Sequence, residues 1–160
     1  MRITELNGPE CREVLTRQGV GRLACARENQ PYIVPIYYAA EDDCLYGFAT
    51  AGRKIDWMRT NPRVCVQADE IRSPSEWQSV IVLGRYEELS DDERHGQARK
   101  RAIGLLARRE SWWKGAYAAD QLRQHSGDPV PVVFCVHISE ITGHRAEPDP
   151  AQQSVEPPGR

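Results

Sequence analysis

Apolar residues in this chain fall into short, strand-length runs separated by turn residues, and only a few stretches switch to a helical period. The first helical stretch opens at Asn7-Gly8-Pro9-Glu10, with a capping Asn, an early Pro and an acid in the first turn. Val14 and Leu15 form its apolar side and Gly19 closes it. VGRLACARE and PYIVPIYYAAE then read as two strands with a turn at Asn29-Gln30, and Pro35 restricts the second to an edge or a bulge. After a turn in EDD, CLYGFAT is a third strand. A short helix follows over about Arg53 to Thr60. Asn61-Pro62 ends it, because the residue before a proline is pushed out of the α region.

RVCVQADE alternates strictly: Val64 and Val66 face one way, Arg63, Cys65 and Gln67 the other. IRSPSE reads as a loop, and WQSVIVLGRYEEL as a long fifth strand in which Gly84 marks a bend or bulge. Ser90-Asp91-Asp92-Glu93 matches a capping box and predicts a helix to about Arg109, with Ala98, Ala102, Leu105 and Leu106 on its apolar side. A short helix over about 119–125 follows. VPVVFCVHISEI is the sixth strand, and the Pro-rich polar stretch from Thr142 onward reads as a tail without a fixed fold. Six strands with few inserted helices predict a mainly β protein, a closed or nearly closed antiparallel barrel with flanking helices. A doubly wound parallel sheet would need a helix after most strands.

At 160 residues, 28% charged and 40% hydrophobic, the chain fits one globular domain. A net charge of −2 gives no long-range pull toward nucleic acid or an anionic membrane. No apolar run approaches a membrane span, and the N-terminus lacks a signal-peptide core, so a cytoplasmic protein is expected. The five cysteines form no C-x-x-C, and Cys25, Cys65 and Cys135 sit in apolar runs as small hydrophobes; neither a disulfide framework nor a metal site is expected.

One stretch carries chemistry. In ATAGRK, a strand runs through Gly52 into a helix that begins with Arg53-Lys54. Two cations at the positive end of a helix dipole are unfavourable unless an anion offsets them. Gly52 would let the backbone turn and approach a ligand. Thr50 adds a hydroxyl, Arg53 a fork of donors and Lys54 a compact ammonium. A phosphate would relieve this corner. Taken alone, so short a motif also fits solvated residues in a tight strand–helix junction.

The order GRLACARENQPYIVPIYY, LYGFATAGRKIDWMRTNPRVCVQADE, EWQSVIVLGRYEEL and ISEITGH resembles the flavin-binding split-barrel proteins related to pyridoxamine 5'-phosphate oxidase, in the nitroimidazole-resistance-like branch. The resemblance covers residues 1–145 and leaves 146–160 as the tail. It implies a six-stranded antiparallel split barrel of the FMN-binding type that dimerises and holds FMN between subunits. It places phosphate contacts on Thr50, Gly52, Arg53 and Lys54, isoalloxazine contacts on Val34, Pro35, Ile36 and Ala49, and further contacts on Trp77, Gln78, Ser79 and Val80. The implied function is an FMN-dependent oxidoreductase acting on a small organic molecule. The alternative is a non-catalytic carrier or sensor of flavin, deazaflavin or heme. Phe48 stands at or beside the position of a histidine common in that branch, so no catalytic residue is assigned; a phenyl ring exchanges no protons.

Trp112 and Trp113 either border the flavin pocket, or pack the preceding helix onto the barrel or fill the dimer interface. Trp57 is core or interface. His95 and His125 read as solvated, and His137 as a satisfied structural histidine. The cluster Arg99-Lys100-Arg101 reads as a solvated helix face.

Overall fold

A computed structural model describes residues 1–109 and 131–149. The expected helix over 119–125, Trp112, Trp113 and His125 lie outside the described residues. In chain order the elements are β1 (Arg2–Glu5), α1 (Gly8–Gln18), β2 (Val20–Arg27), β3 (Gln30–Glu41), β4 (Cys44–Ala49), α2 (Arg53–Thr60), β5 (Arg63–Ser73), β6 (Glu76–Glu88), α3 (Gly96–Arg108) and β7 (Val132–Glu147).

The strands form one antiparallel sheet in the order β1-β7-β4-β3-β2-β5-β6, and a further β6–β7 pairing closes it into a six-stranded barrel. Closure pairs β6 with β7 along most of their length, so neither end of the six-stranded ring is left as a free edge. Three hairpins have two-residue loops, since Arg27 pairs with Gln30, Glu41 with Cys44 and Ser73 with Glu76. Glu28 and Asn29 both take positive φ, 52° and 62°, the backbone twist a tight hairpin needs. The turn is therefore one residue earlier than the sequence pattern predicts.

Inward residues follow the expected alternation. Val64, Val66 and Ala68 on β5, Val80 and Val82 on β6, and Phe134 and Val136 on β7 are buried. Tyr38 closes the barrel toward α1, its hydroxyl donating to the Leu15 carbonyl at 2.9 Å. Burial pushes that phenol up to about 12. Gly84 sits where the β6–β7 register slips between Leu83 and Gly84. A Cβ there would meet the His137 carbonyl oxygen at 2.5 Å, so the expected bulge is forced by close backbone approach.

Four boundaries differ from the sequence pattern. The strand β1, paired with Glu147–His144 of β7, is too short and too exposed to show a period. β5 continues through Ile71-Arg72-Ser73, because Ile71 finds Trp77 and Ser73 finds Glu76 across the hairpin. β7 runs to Glu147, past the expected start of the tail, because β1 and β6 flank its polar end on both sides. α3 begins at Gly96, not at Ser90. The Asp92 carboxylate instead accepts from the His95 backbone N–H at 2.8 Å and holds a turn there. His95 is accordingly not solvated: its side chain is 16% exposed, and its ring lies 3.0 Å from Asp92 and 3.4 Å from Glu87.

Candidate functional site

The chain caps its first helix fully. Asn7 Oδ1 accepts from the Glu10 N–H at 3.0 Å and Glu10 Oε2 accepts from the Asn7 N–H at 2.8 Å. It leaves α2 uncapped: Gly52 precedes the helix and provides no side-chain acceptor. Amides of the first turn therefore lack a side-chain partner. Arg53 and Lys54 add two positive charges at the same end. Asp56, the acid of that turn, lies 3.8 Å from Arg59, toward the other end of the helix. On the same helix Arg59 is ion-paired, to Glu88 at 2.8 Å. Among the described residues, neither Arg53 nor Lys54 has a carboxylate partner.

Both cations are placed by packing. Ile55 and Met58 are fully buried and anchor α2 in the barrel core, worth about 1.5–3 kcal/mol each. Trp57 packs on Tyr32 of β3 with ring centroids 5.6 Å apart, and the Arg53 guanidinium lies 5.5 Å from the same Tyr32 ring. Lys54 is half-buried. Desolvation lowers the pKa of its ammonium, and the nearby Cys25 opposes that shift. Gly52 takes φ 163°, extended backbone open to any residue, and a Cβ at this position would meet nothing within 4 Å. Its smallness is not required by the fold, contrary to the expectation of a tight turn.

A gap in the sheet lies beside this corner. Pairing between β3 and β4 stops at Tyr38–Gly47. The same register would next bring Ala49 opposite Ile36 and Thr50 opposite Pro35. Instead β4 stays with β7 as far as Ala49–Val132, and β3 stays with β2 as far as Gln30–Arg27. The barrel splits there. Along residues 30–37, β3 is paired on one side only, so half of its backbone donors and acceptors face the split. Pro35 sits on this open edge, as its missing N–H demands. Val34, Pro35, Ile36, Ala49, Thr50, Gly52, Arg53 and Lys54 thus flank one opening. Ile36 and Ala49 are buried; because the Tyr38 N–H donates to the Gly19 carbonyl, alternation turns the Ile36 backbone toward β2 and leaves Ile33 and Pro35 to present theirs to the split.

Trp77, Gln78, Ser79 and Val80 are not brought to that opening. Lys54 lies by Cys25, whose neighbour Ala24 pairs with Cys65. Trp77 pairs with Ile71, six residues further along β5, about 20 Å at strand rise. Val80 is fully buried in the core. Ser79 accepts from Gln67 Nε2 at 3.2 Å. Trp77 and Gln78 line a cavity of about 240 Å³ with Glu70, Arg72, Arg145 and Ala146. Phe48 packs against the small Ala39–Leu106 cluster, with no proton to exchange. The sequence pattern does not reveal Tyr32 as the platform for Arg53; its alternation with Val34 and Ile36 marks the strand face but not the helix above it.

An apolar band crosses the outer face. Ile33, Ala24, Cys65 and Leu83 are successive cross-strand neighbours on β3, β2, β5 and β6. Ile33 is 63% and Leu83 46% exposed, with Ile81 beside them at 43%. No helix of the described residues is long and apolar enough to cross a membrane.

Comparison with known proteins agrees with this architecture. An uncharacterized protein of Rhizobium meliloti (strain 1021) is 40% identical over 146 residues, which is 91% of this chain and 97% of that protein. A FAD-binding protein from Mesorhizobium loti superposes with a TM-score of 0.75 at 42% identity, covering 92% of this chain and 99% of that one. A candidate 5-nitroimidazole antibiotic resistance protein from Bacteroides thetaiotaomicron shares the fold at 16% identity, TM-score 0.62, with 91% and 89% covered. The family model for pyridoxamine 5'-phosphate oxidase matches residues 8–145. With its split six-stranded barrel and a match over most of its length, the chain belongs to the pyridoxamine 5'-phosphate oxidase family.

Proposed function

We propose that this chain binds FMN as a homodimer and serves as an oxidoreductase for a small organic molecule. The observation that carries the reading is the uncapped start of α2, where two cations without carboxylate partners among the described residues adjoin the split between β3 and β4. That corner fits a phosphate: free helix amides, a guanidinium and an ammonium supply donors, and the anion offsets the helix end. The open edge of β3 offers backbone groups suited to the polar rim of a flat heterocycle. The FAD-binding relative at 42% identity supports a flavin.

Trp77, Gln78 and Ser79 pair with β5 six, five and four residues beyond Cys65, about 13–20 Å along the strand from the corner within one chain. They reach the same ligand if a second copy docks on the apolar band of Ile33, Leu83 and Ile81, and this favours a site shared between two chains. When bound, the flavin supplies the redox chemistry. The chain's residues grip the phosphate, orient the ring against β3 and exclude water.

The visible spectrum of the purified protein, with titration of FMN, FAD and riboflavin by fluorescence quenching, tests the proposal. Saturable binding with FMN preferred is expected. A colourless protein that quenches none of the three refutes it. Phe48, packed against Ala39 and Leu106, favours a second reading, a carrier or sensor of flavin, deazaflavin or heme without turnover. Bleaching of the bound flavin by NADH or NADPH and its reoxidation by a defined acceptor would eliminate that reading.

A further inference from the structure

Cys44 of β4 and His137 of β7 are directly paired across the sheet. Cys135 precedes His137 by two residues, and the period of a strand puts both on one face. The ligand atoms of Cys44, Cys135 and His137 all lie within 4.8 Å of one another. His137 Nδ1 is 3.5 Å from Cys44 Sγ, while its Nε2 is 2.6 Å from Glu87 Oε2.

We propose that Cys44, Cys135 and His137 bind Zn2+ or a similarly thiophilic divalent cation, with Glu87 positioning the imidazole. Tetrahedral zinc, with Zn–S about 2.3 Å and Zn–N about 2.0 Å, requires S···N separations of about 3.5 Å and S···S of about 3.8 Å. The Cys44–His137 edge already has this length. The remaining edges, at most 4.8 Å, close by small side-chain rotations. A metal-ligating histidine ordinarily donates its other ring N–H to a carboxylate, which fixes the tautomer. Glu87 stands in that place, and His95 holds its second oxygen at 3.4 Å. A purely apolar role for the two thiols requires neither an imidazole facing sulfur nor a carboxylate behind the imidazole.

The donor set selects the metal class. Two sulfurs and one nitrogen suit zinc and disfavour Mg2+ and Ca2+, which take oxygen ligands. Cys135 is 1% exposed and packs with Leu89, Ala102 and Val133, whereas the His137 side chain is 50% exposed. The site therefore has a buried floor and an open rim, leaving the fourth position to water. On binding, each thiol releases its proton to solvent, and the two thiolates balance the dication.

The test is titration of the reduced, chelator-treated full-length protein with Co2+ and then Zn2+, against a chromophoric competitor. Expected are about one cation per chain and a thiolate-to-cobalt absorption that Zn2+ abolishes. Cys44→Ser and His137→Gln lose that absorption. Glu87→Gln binds Zn2+ about 10- to 100-fold more weakly. Because Cys135 is buried, the two more accessible ligands carry the test. No Zn2+ binding in the micromolar range, or a Co2+ spectrum unchanged in both variants, overturns the proposal. So does a Cys44–Cys135 disulfide in the isolated protein whose reduction yields no zinc uptake.

Discussion

Lys54→Met separates phosphate recognition from folding, because the two respond with opposite signs. The ammonium is half-buried at the start of α2, and desolvation lowers its pKa from the ordinary 10.5. A lysine with a depressed folded-state pKa destabilises the fold wherever it is charged in both states. That penalty lifts only as pH rises through the folded pKa toward 10.5. At neutral pH, methionine keeps the apolar stem and removes the penalty, so the flavin-free variant should melt at or above the wild-type temperature. Binding should fall. A hydrogen bond to a charged group contributes about 1.5–3 kcal/mol, which is about a 10- to 150-fold rise in Kd. Riboflavin is the control, since it has the same ring and no phosphate. Calorimetric or fluorescence titration should show the loss for FMN and none for riboflavin. Equal losses for both ligands, or a fall in Tm of several degrees (about 2–4 °C per kcal/mol at this size), would refute the reasoning.

Three further outcomes follow from the geometry. Gly84→Val drives a Cβ to 2.5 Å from the His137 carbonyl oxygen and 2.7 Å from Val136 Cγ1, so urea denaturation should show a loss of about 1–3 kcal/mol or more, while Gly52→Ala stays within about 0.5 kcal/mol. Glu88 is held below its ordinary 4.5 chiefly by its hydrogen bond from Arg59, with Tyr86 also donating to it; its contribution is present above pH 4.5 and is lost as pH falls through the folded value, so the stability advantage of the wild type over Glu88→Gln should vanish on acidification in a pH series of denaturation midpoints. Leu83→Glu places a charge in the outer apolar band without touching the core, and sedimentation should show monomers; a retained dimer would move the subunit contact elsewhere.

Most of the secondary structure is legible in the sequence because its causes are local. Asn7 and Glu10 cap α1 from within four residues, Asn61-Pro62 stops α2, and the alternation of Val64, Val66 and Ala68 declares a buried strand face. The exceptions are elements whose partners are remote. β1 exists because β7 offers His144 to Glu147 as a template, and Ile71 to Ser73 are strand because β6 folds back on them. Ser90 to Glu93 look like a helix start, yet the Asp92–His95 hydrogen bonds commit them to a turn.

The candidate site divides in the same way. Gly52-Arg53-Lys54 can be read from the chain because charge at a helix start is a local electrostatic fact. A period of two reveals which side chains share a face, but not which strand lies next to it or in what register. Barrel closure sets those. It parts β3 from β4 beside the basic corner, carries Trp77 to Ser79 far along the sheet from Lys54, and brings Cys44 to Cys135 and His137 across roughly ninety residues of sequence.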